Sequence, residues 1–215
     1  SEPAVWLEYV LDAAVIAHQQ GLYTVYVSNS FVTDEALALL RGQIDVLCSD
    51  IKSMDDTFYR NICAKASVEQ VLQSIKTASE LGIHVETRTN VIPGYNDDSA
   101  NLAAIADWIY DNLGADSPWH VTRFHPAYRM ADVPSTPVDT LEHAADLGRR
   151  SGLSHVYVYA DKVCDCAAEN APVSGYLPKW TALHEVNKCV ESCCGDEGIL
   201  LGRYEREANA QPGER

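Results

Sequence analysis

Residues 83–98, Ile-His-Val-Glu-Thr-Arg-Thr-Asn-Val-Ile-Pro-Gly-Tyr-Asn-Asp-Asp, constrain the fold more than any other stretch of the chain. Alternation puts Ile83, Val85, Thr87 and Thr89 on one face and His84, Glu86, Arg88 and Asn90 on the other, the period-two pattern of a strand with one polar face. Helical patterns flank it on both sides, as in a parallel sheet, whose strands usually read as continuous apolar runs. A polar row inside such a sheet points to a wet or ligand-filled interior. Pro93-Gly94 ends the strand, and Asn96-Asp97-Asp98 offers an N-cap to the next helix. Function is expected in that loop.

The rest of the chain repeats this strand–loop–helix rhythm. An apolar-periodic helix through Leu7, Val10, Leu11, Ala14 and Val15 opens with Pro3 and stops at Gly21. A strand is predicted over 22–28, a short helix capped by Thr33 over 33–42, and a strand over 44–51. Asp55 caps a helical turn, and Ser67 with Gln70 spells a capping box for a helix that ends at Gly82. A helix over 98–112, a strand over 119–125, a helix from Thr136-Pro137 to Gly152 and a strand over 154–159 follow. Such alternation specifies an α/β fold with a parallel sheet, either open and doubly wound or part of a barrel.

Parallel strands place their ligand sites at the carboxyl ends. That is where this chain keeps its polar groups: Ser28-Asn29, then Asp50 and Lys52, Arg88 and Asn90, Arg123 and His125, and Asp161. Each alone reads as a cap or loop residue, but together they describe one polar mouth. No glycine-rich phosphate loop precedes a helix, which argues against a nucleotide held by its phosphates.

Composition excludes several classes. A net charge of -15 with only 16 Lys and Arg leaves no basic run to neutralise a nucleic-acid backbone. No apolar run reaches about 18 residues, so no membrane association is expected and the protein reads as cytoplasmic. The seven cysteines are odd in number and suit no secreted disulfide scaffold.

The ordered set Ser-Glu-Pro, Trp-Leu-Glu-Tyr, Val-Ser-Asn-Ser, Ser-Asp-Ile-Lys, Val-Ile-Pro-Gly-Tyr-Asn-Asp, Trp-His-Val-Thr-Arg-Phe-His-Pro and Thr-Pro-Val-Asp-Thr-Leu-Glu resembles the AmmeMemoRadiSam radical SAM enzymes. These are relatives of pyruvate formate-lyase activating enzyme, and the resemblance covers roughly residues 1–160. It implies a partial (βα)6 TIM-like barrel that binds S-adenosylmethionine and a 4Fe-4S cluster and cleaves the cofactor reductively to a 5′-deoxyadenosyl radical. It further implies a small-molecule or protein substrate of radical chemistry and an electron donor such as flavodoxin or ferredoxin.

Carried over residue by residue, the resemblance assigns Glu2, Asn29, Asp50, Lys52 and His125 to the cofactor and Arg88 and Arg123 to the substrate. Glu2 matches the acidic residue that binds the methionine amino group; a carboxylate favoured by a helix N-terminus is the plainer account of it. Asn29 is flanked by Ser28 and Ser30 where the family has Thr and Gly. Asp50 and Lys52 match an Asp-x-Lys at a strand end, and His125 a histidine near adenosine or substrate. No side chain is assigned a catalytic role of its own, since the cofactor carries the hard chemistry.

The CxxxCxxC motif that ligates the cluster precedes Ser-Glu-Pro in the family. The resemblance therefore implies a chain truncated before that motif, lacking the first strand and most of the second, with its cluster ligands upstream of residue 1. None of Cys48, Cys63, Cys164, Cys166, Cys189, Cys193 and Cys194 has that spacing, and no metal ligand is assigned among them. Two domains are expected, a barrel over 1–162 and a cysteine-bearing extension over 163–215. In the extension a zinc site, divergence and a frame change all stay open. The alternative to a radical enzyme is a cluster-free α/β domain that binds a small anionic or amino-acid-like ligand at Arg88, Arg123 and Lys52.

Overall fold

The structure is a computed structural model that describes residues 2–63 and 67–159. The expected extension over 163–215 and Asp161 lie outside the described residues. After a 3-10 turn at Pro3–Trp6, the order is α1 (Leu7–Gln19), β1 (Val25–Ser28), α2 (Asp34–Leu40), β2 (Val46–Asp50), α3 (Asp56–Ile62), α4 (Val68–Glu80), β3 (His84–Val91), α5 (Ser99–Leu113), β4 (Trp119–Arg123), a 3-10 turn (Tyr128–Met130), α6 (Val138–Arg150) and β5 (Val156–Tyr159). Among the described residues no helix is long and apolar enough to cross a membrane.

All neighbouring strands pair in parallel, and their order in the sheet is their order in the chain. A doubly wound sheet would reverse direction at a switch point, whereas an unreversed order with right-handed crossovers leaves the helices on one face. The fold is therefore a sector of a TIM-like barrel, which settles the choice that periodicity left open.

Local side-chain caps place three of the six described helix starts. The side chains of Thr33, Asp55 and Asp98 accept from the amides of Ala36, Thr57 and Asn101 and so cap α2, α3 and α5. The capping box at α4 does not form: Ser67 occupies the N-cap without a side-chain bond. The Val68 amide donates to Asp56 Oδ1 at 3.1 Å, so a carboxylate from α3 satisfies one of the first-turn amides.

The helix-facing side of the sheet is the core. Leu47, Val85, Thr87, Thr89, Val91, Trp119 and Val121 are buried there, with Val71 and Ile75 of α4, Leu102, Ile105 and Ile109 of α5, and Leu141 of α6. Each such aliphatic side chain contributes about 1.5–3 kcal/mol through burial. The opposite, concave side carries Cys48, Asp50, His84, Glu86, Arg88, Asn90, His120 and Thr122, because the register pairs Cys48 with Glu86, Asp50 with Arg88, Arg88 with His120 and Asn90 with Thr122. The expected polar row of β3 is thus the inner face of the barrel. At the β1 edge the surface is apolar and open: Val25 and Val27 are exposed, as are Val5, Tyr9 and Ile16 on and just before α1.

Trp119 shows how tightly the outer layer is fitted. Its indole is fully buried and donates from Nε1 to Thr89 Oγ1 at 2.9 Å, so the ring is held in place. A Cβ added at Gly148 of α6 would lie 2.9 Å from Trp119 Cε3. Gly148→Ala is expected to destabilise the chain by about 1–3 kcal/mol through overpacking, read as a lower urea midpoint at unchanged slope. An unchanged midpoint would mean that α6 moves away freely.

Candidate functional site

The carboxyl ends of β1 and β2 gather the polar groups. Glu2, at the N-cap of the first turn, accepts from Ala4 N at 3.1 Å, from Ser28 Oγ at 2.7 Å and from Asn29 N at 2.8 Å. Its carboxylate is fastened to the end of β1. Asn29 Oδ1 accepts from the Phe31 amide at 2.9 Å, and this bends the chain through Ser30 at φ 58°. That is the left-handed conformation glycine adopts freely. Here Ser30 is held in it by bonds to Ser28 Oγ and Ser49 Oγ.

At the end of β2, Asp50 receives two cations. Lys52 Nζ donates to Oδ2, and Arg88 Nε donates to Oδ1 at 2.7 Å from β3. Two positive charges on one carboxylate leave one positive charge in excess, which favours an anionic group at this rim. The Lys52 amide donates to Tyr59 Oη at 3.0 Å, and burial pushes that phenol up to about 12, so it stays neutral.

A cavity of about 480 Å³ opens beside these residues, within the usual range of small-molecule sites. Asn29, Lys52 and Asn90 supply its polar wall, and Phe31, Phe58, Tyr59, Ile62, Val71 and Ile92 its apolar one. Of the predicted site residues Asn29 and Lys52 line this cavity; Glu2 is tied to it through the Asn29 amide, and Asp50 and Arg88 through Lys52. His125 is exposed in the loop after β4. Arg123 shares the alternation of Trp119 and Val121, and the pleat sets it on the face opposite Arg88. The two arginines assigned to one substrate are thus not brought together by the sheet.

Deeper in the concave face lies a cluster that sequence reasoning missed. Glu86 is 2% exposed, with Oε2 at 2.8 Å from His120 Nε2 and Oε1 at 3.5 Å from His84 Nε2. His120 Nδ1 lies 3.1 Å from Tyr159 Oη, and its ring stacks on Tyr157 with centroids 5.3 Å apart. Burial pushes the Glu86 carboxyl up to about 9 and holds the His84 imidazole below its ordinary value. At neutral pH we therefore assign Glu86 as a neutral acid whose hydroxyl donates to His120. Glu86 stood in the polar row, but nothing local could pair it with a residue 34 positions away. Asn90 stood in the same row, and Tyr59 left no sequence signal.

Residues 1–105 match the Radical SAM superfamily. They belong to that superfamily. An uncharacterized protein of Methanocaldococcus jannaschii is 40% identical over 158 residues, covering 74% of this chain and 46% of its own length. The (2S)-3-sulfopropanediol dehydratase activating enzyme of Klebsiella oxytoca is 27% identical over 113 residues, 53% of this chain and 35% of that protein. The chain thus spans less than half the length of either relative. A solved domain of pyruvate-formate lyase-activating enzyme from Bacteroides vulgatus superimposes with a TM-score of 0.65 at 19% identity, covering 74% of this chain and 95% of that one. This likeness establishes the fold, and the superfamily matched by residues 1–105 is one of enzymes that use S-adenosylmethionine and a 4Fe-4S cluster.

The described residues of this radical SAM chain fit the first cofactor and not the second. S-adenosylmethionine carries an amino group, a carboxylate and a flat aromatic purine. Glu2, the cationic excess at Lys52 and Arg88, and the cavity offer a partner for each. A cluster needs several thiolates. The described cysteines are Cys48 and Cys63; burial pushes the Cys48 thiol up to about 12 and raises Cys63 too. Among the described residues no group of His, Cys, Asp and Glu could hold a metal ion.

Glu86 also sets a pH dependence. An unfolded glutamate titrates near 4.5, so between there and about 9 the folded chain holds the extra proton. Its contribution to stability is full below 4.5 and is lost as pH rises towards 9. Glu86→Gln is expected to gain stability relative to the parent by about 1.4 kcal/mol per pH unit across that window, read from urea unfolding at pH 5.5, 7 and 8.5. A pH-independent difference would mean that Glu86 does not hold its proton across this window.

Proposed function

We propose that this chain binds S-adenosylmethionine across the carboxyl ends of β1–β3 and serves a radical SAM enzyme of the activating type. One observation carries the reading: the cavity at the ligand end of the parallel sheet is lined by Asn29, whose amide holds the fastened carboxylate of Glu2, and by Lys52, which shares Asp50 with Arg88. Glu2 would take the cofactor's amino group, Lys52 and Arg88 its carboxylate, and Asn29 a neighbouring polar atom. His125 is proposed to approach the adenosine or the substrate from the loop after β4, and Arg123 to meet the substrate from the other side of that strand end. When bound beside a reduced cluster, the cofactor supplies radical chemistry; the cluster's thiolates would come from outside the described residues. The AmmeMemoRadiSam subtype rests on the sequence resemblance. A protein or small-molecule substrate and a flavodoxin or ferredoxin donor belong to the same proposal.

The excess charge also favours a second reading, a cluster-free domain that binds small anions. Calorimetric titration of the full-length protein separates the two. S-adenosylhomocysteine is expected to bind, and Glu2→Gln and Lys52→Met are each expected to weaken it about tenfold or more, the size of a lost charged hydrogen bond. Binding of citrate or phosphate with no binding of S-adenosylhomocysteine would overturn the first reading in favour of the second.

A further inference from the structure

The loop that follows β3 contains a side chain with no solvent access and a full set of partners. Asn96 is 1% exposed. Its Oδ1 accepts from the Ile92 amide at 2.6 Å, and its Nδ2 donates to Asn90 O at 3.0 Å and to Lys52 O at 2.6 Å. A second asparagine backs it from α5. Asn101 Nδ2 donates to Asn96 O at 2.8 Å, while Asn101 Oδ1 accepts from Ser53 Oγ at 2.9 Å and Met54 N at 2.8 Å.

These bonds stand where the β2–β3 ladder has ended. The last β2–β3 pair is Asp50 with Arg88, followed by one bond from Ile51 N to Arg88 O. Beyond it the two chains leave the ladder, and the Asn96 carboxamide bridges Lys52 to the end of β3. Both carbonyls it holds belong to residues that line the cavity, Lys52 and Asn90. A short amide that caps a helix would sit at the surface; in this loop Asp98 does that work.

We propose that Asn96 is a positioning residue for the cofactor, acting through Lys52 by fixing the end of β2 against the end of β3. This rests on the binding role proposed above for Lys52. Asn96 itself touches no ligand. Its carboxamide is the one group here with two donors and an acceptor at the reach required; serine would supply one donor and aspartate none when ionised.

The test uses the full-length protein and S-adenosylhomocysteine as probe. Asn96→Ser, measured well below its melting temperature, is expected to bind about tenfold more weakly, the scale of effect for a displaced contact residue. Lys52→Met/Asn96→Ser is expected to bind within about twofold of Lys52→Met alone, because both changes remove one contact. Asn96→Asp keeps the shape and the Ile92 bond and is expected to fall with Asn96→Ser. Unchanged affinity with a lowered melting temperature would make Asn96 a loop stiffener only and overturn the proposal; so would losses that multiply in the double variant. Should the variants fail to fold, hydrogen exchange at the wild-type Ile92 amide, read by NMR, decides. Slowing by about tenfold on saturation with the probe is expected, and unchanged exchange overturns the inference. A wild-type protein that does not bind the probe would instead sink the binding role on which this rests, and this inference with it.

Discussion

Asp50 stands opposite Arg88 in the parallel ladder, and their ion pair ties β2 to β3 at the end where the site lies. The register that aligns them also decides which side chains face inward. A slip of one residue would turn Cys48, Asp50, Glu86, Arg88 and Asn90 towards the helices and push Leu47, Val85, Thr87 and Thr89 into the concave space. Neither arrangement of charges would survive in the apolar layer. The pair is therefore a statement about the whole sheet, and the apolar packing of α4, α5 and α6 on the other face holds it there.

An inner face of this kind is costly to maintain. Arg88 and Lys52 share one carboxylate at the solvent end, where partial exposure keeps their charges tolerable. Deeper down, where Glu86 and His120 are almost fully enclosed, the same row carries no net charge if the carboxyl keeps its proton. The gradient from a neutral floor to a charged rim follows the access of water. It leaves the binding chemistry at the strand ends, beside the cavity, as in other parallel barrels.

Much of this architecture was legible in the sequence. The two faces of residues 83–90, the strand and helix order, and the caps at Thr33, Asp55 and Asp98 all follow from spacing within one turn or one pleat. Asn29, Asp50 and Lys52 were legible as strand-end groups, the positions where polar residues need either a cap or a ligand, whereas Glu2 was singled out by the family resemblance. Where the structure departs from the local reading, the reason lies in packing and the pleat. The Ser67 hydroxyl makes no cap and Asp56 of α3 takes the first amide of α4, while Arg123 at the end of β4 faces away from Arg88 within β3.

The sequence by itself determined the element types, the parallel α/β class and the end of the sheet at which polar groups collect, because these depend on patterns only a few residues long. Tertiary structure decided that the sheet is an unreversed barrel sector, that Glu86 meets His120 across 34 residues, and that Asn96 reaches Lys52 across 44. Periodicity carries no record of which distant partner a buried donor or acceptor will find. That is settled only when strand pairing removes water and each enclosed polar group must take the partner the register brings to it.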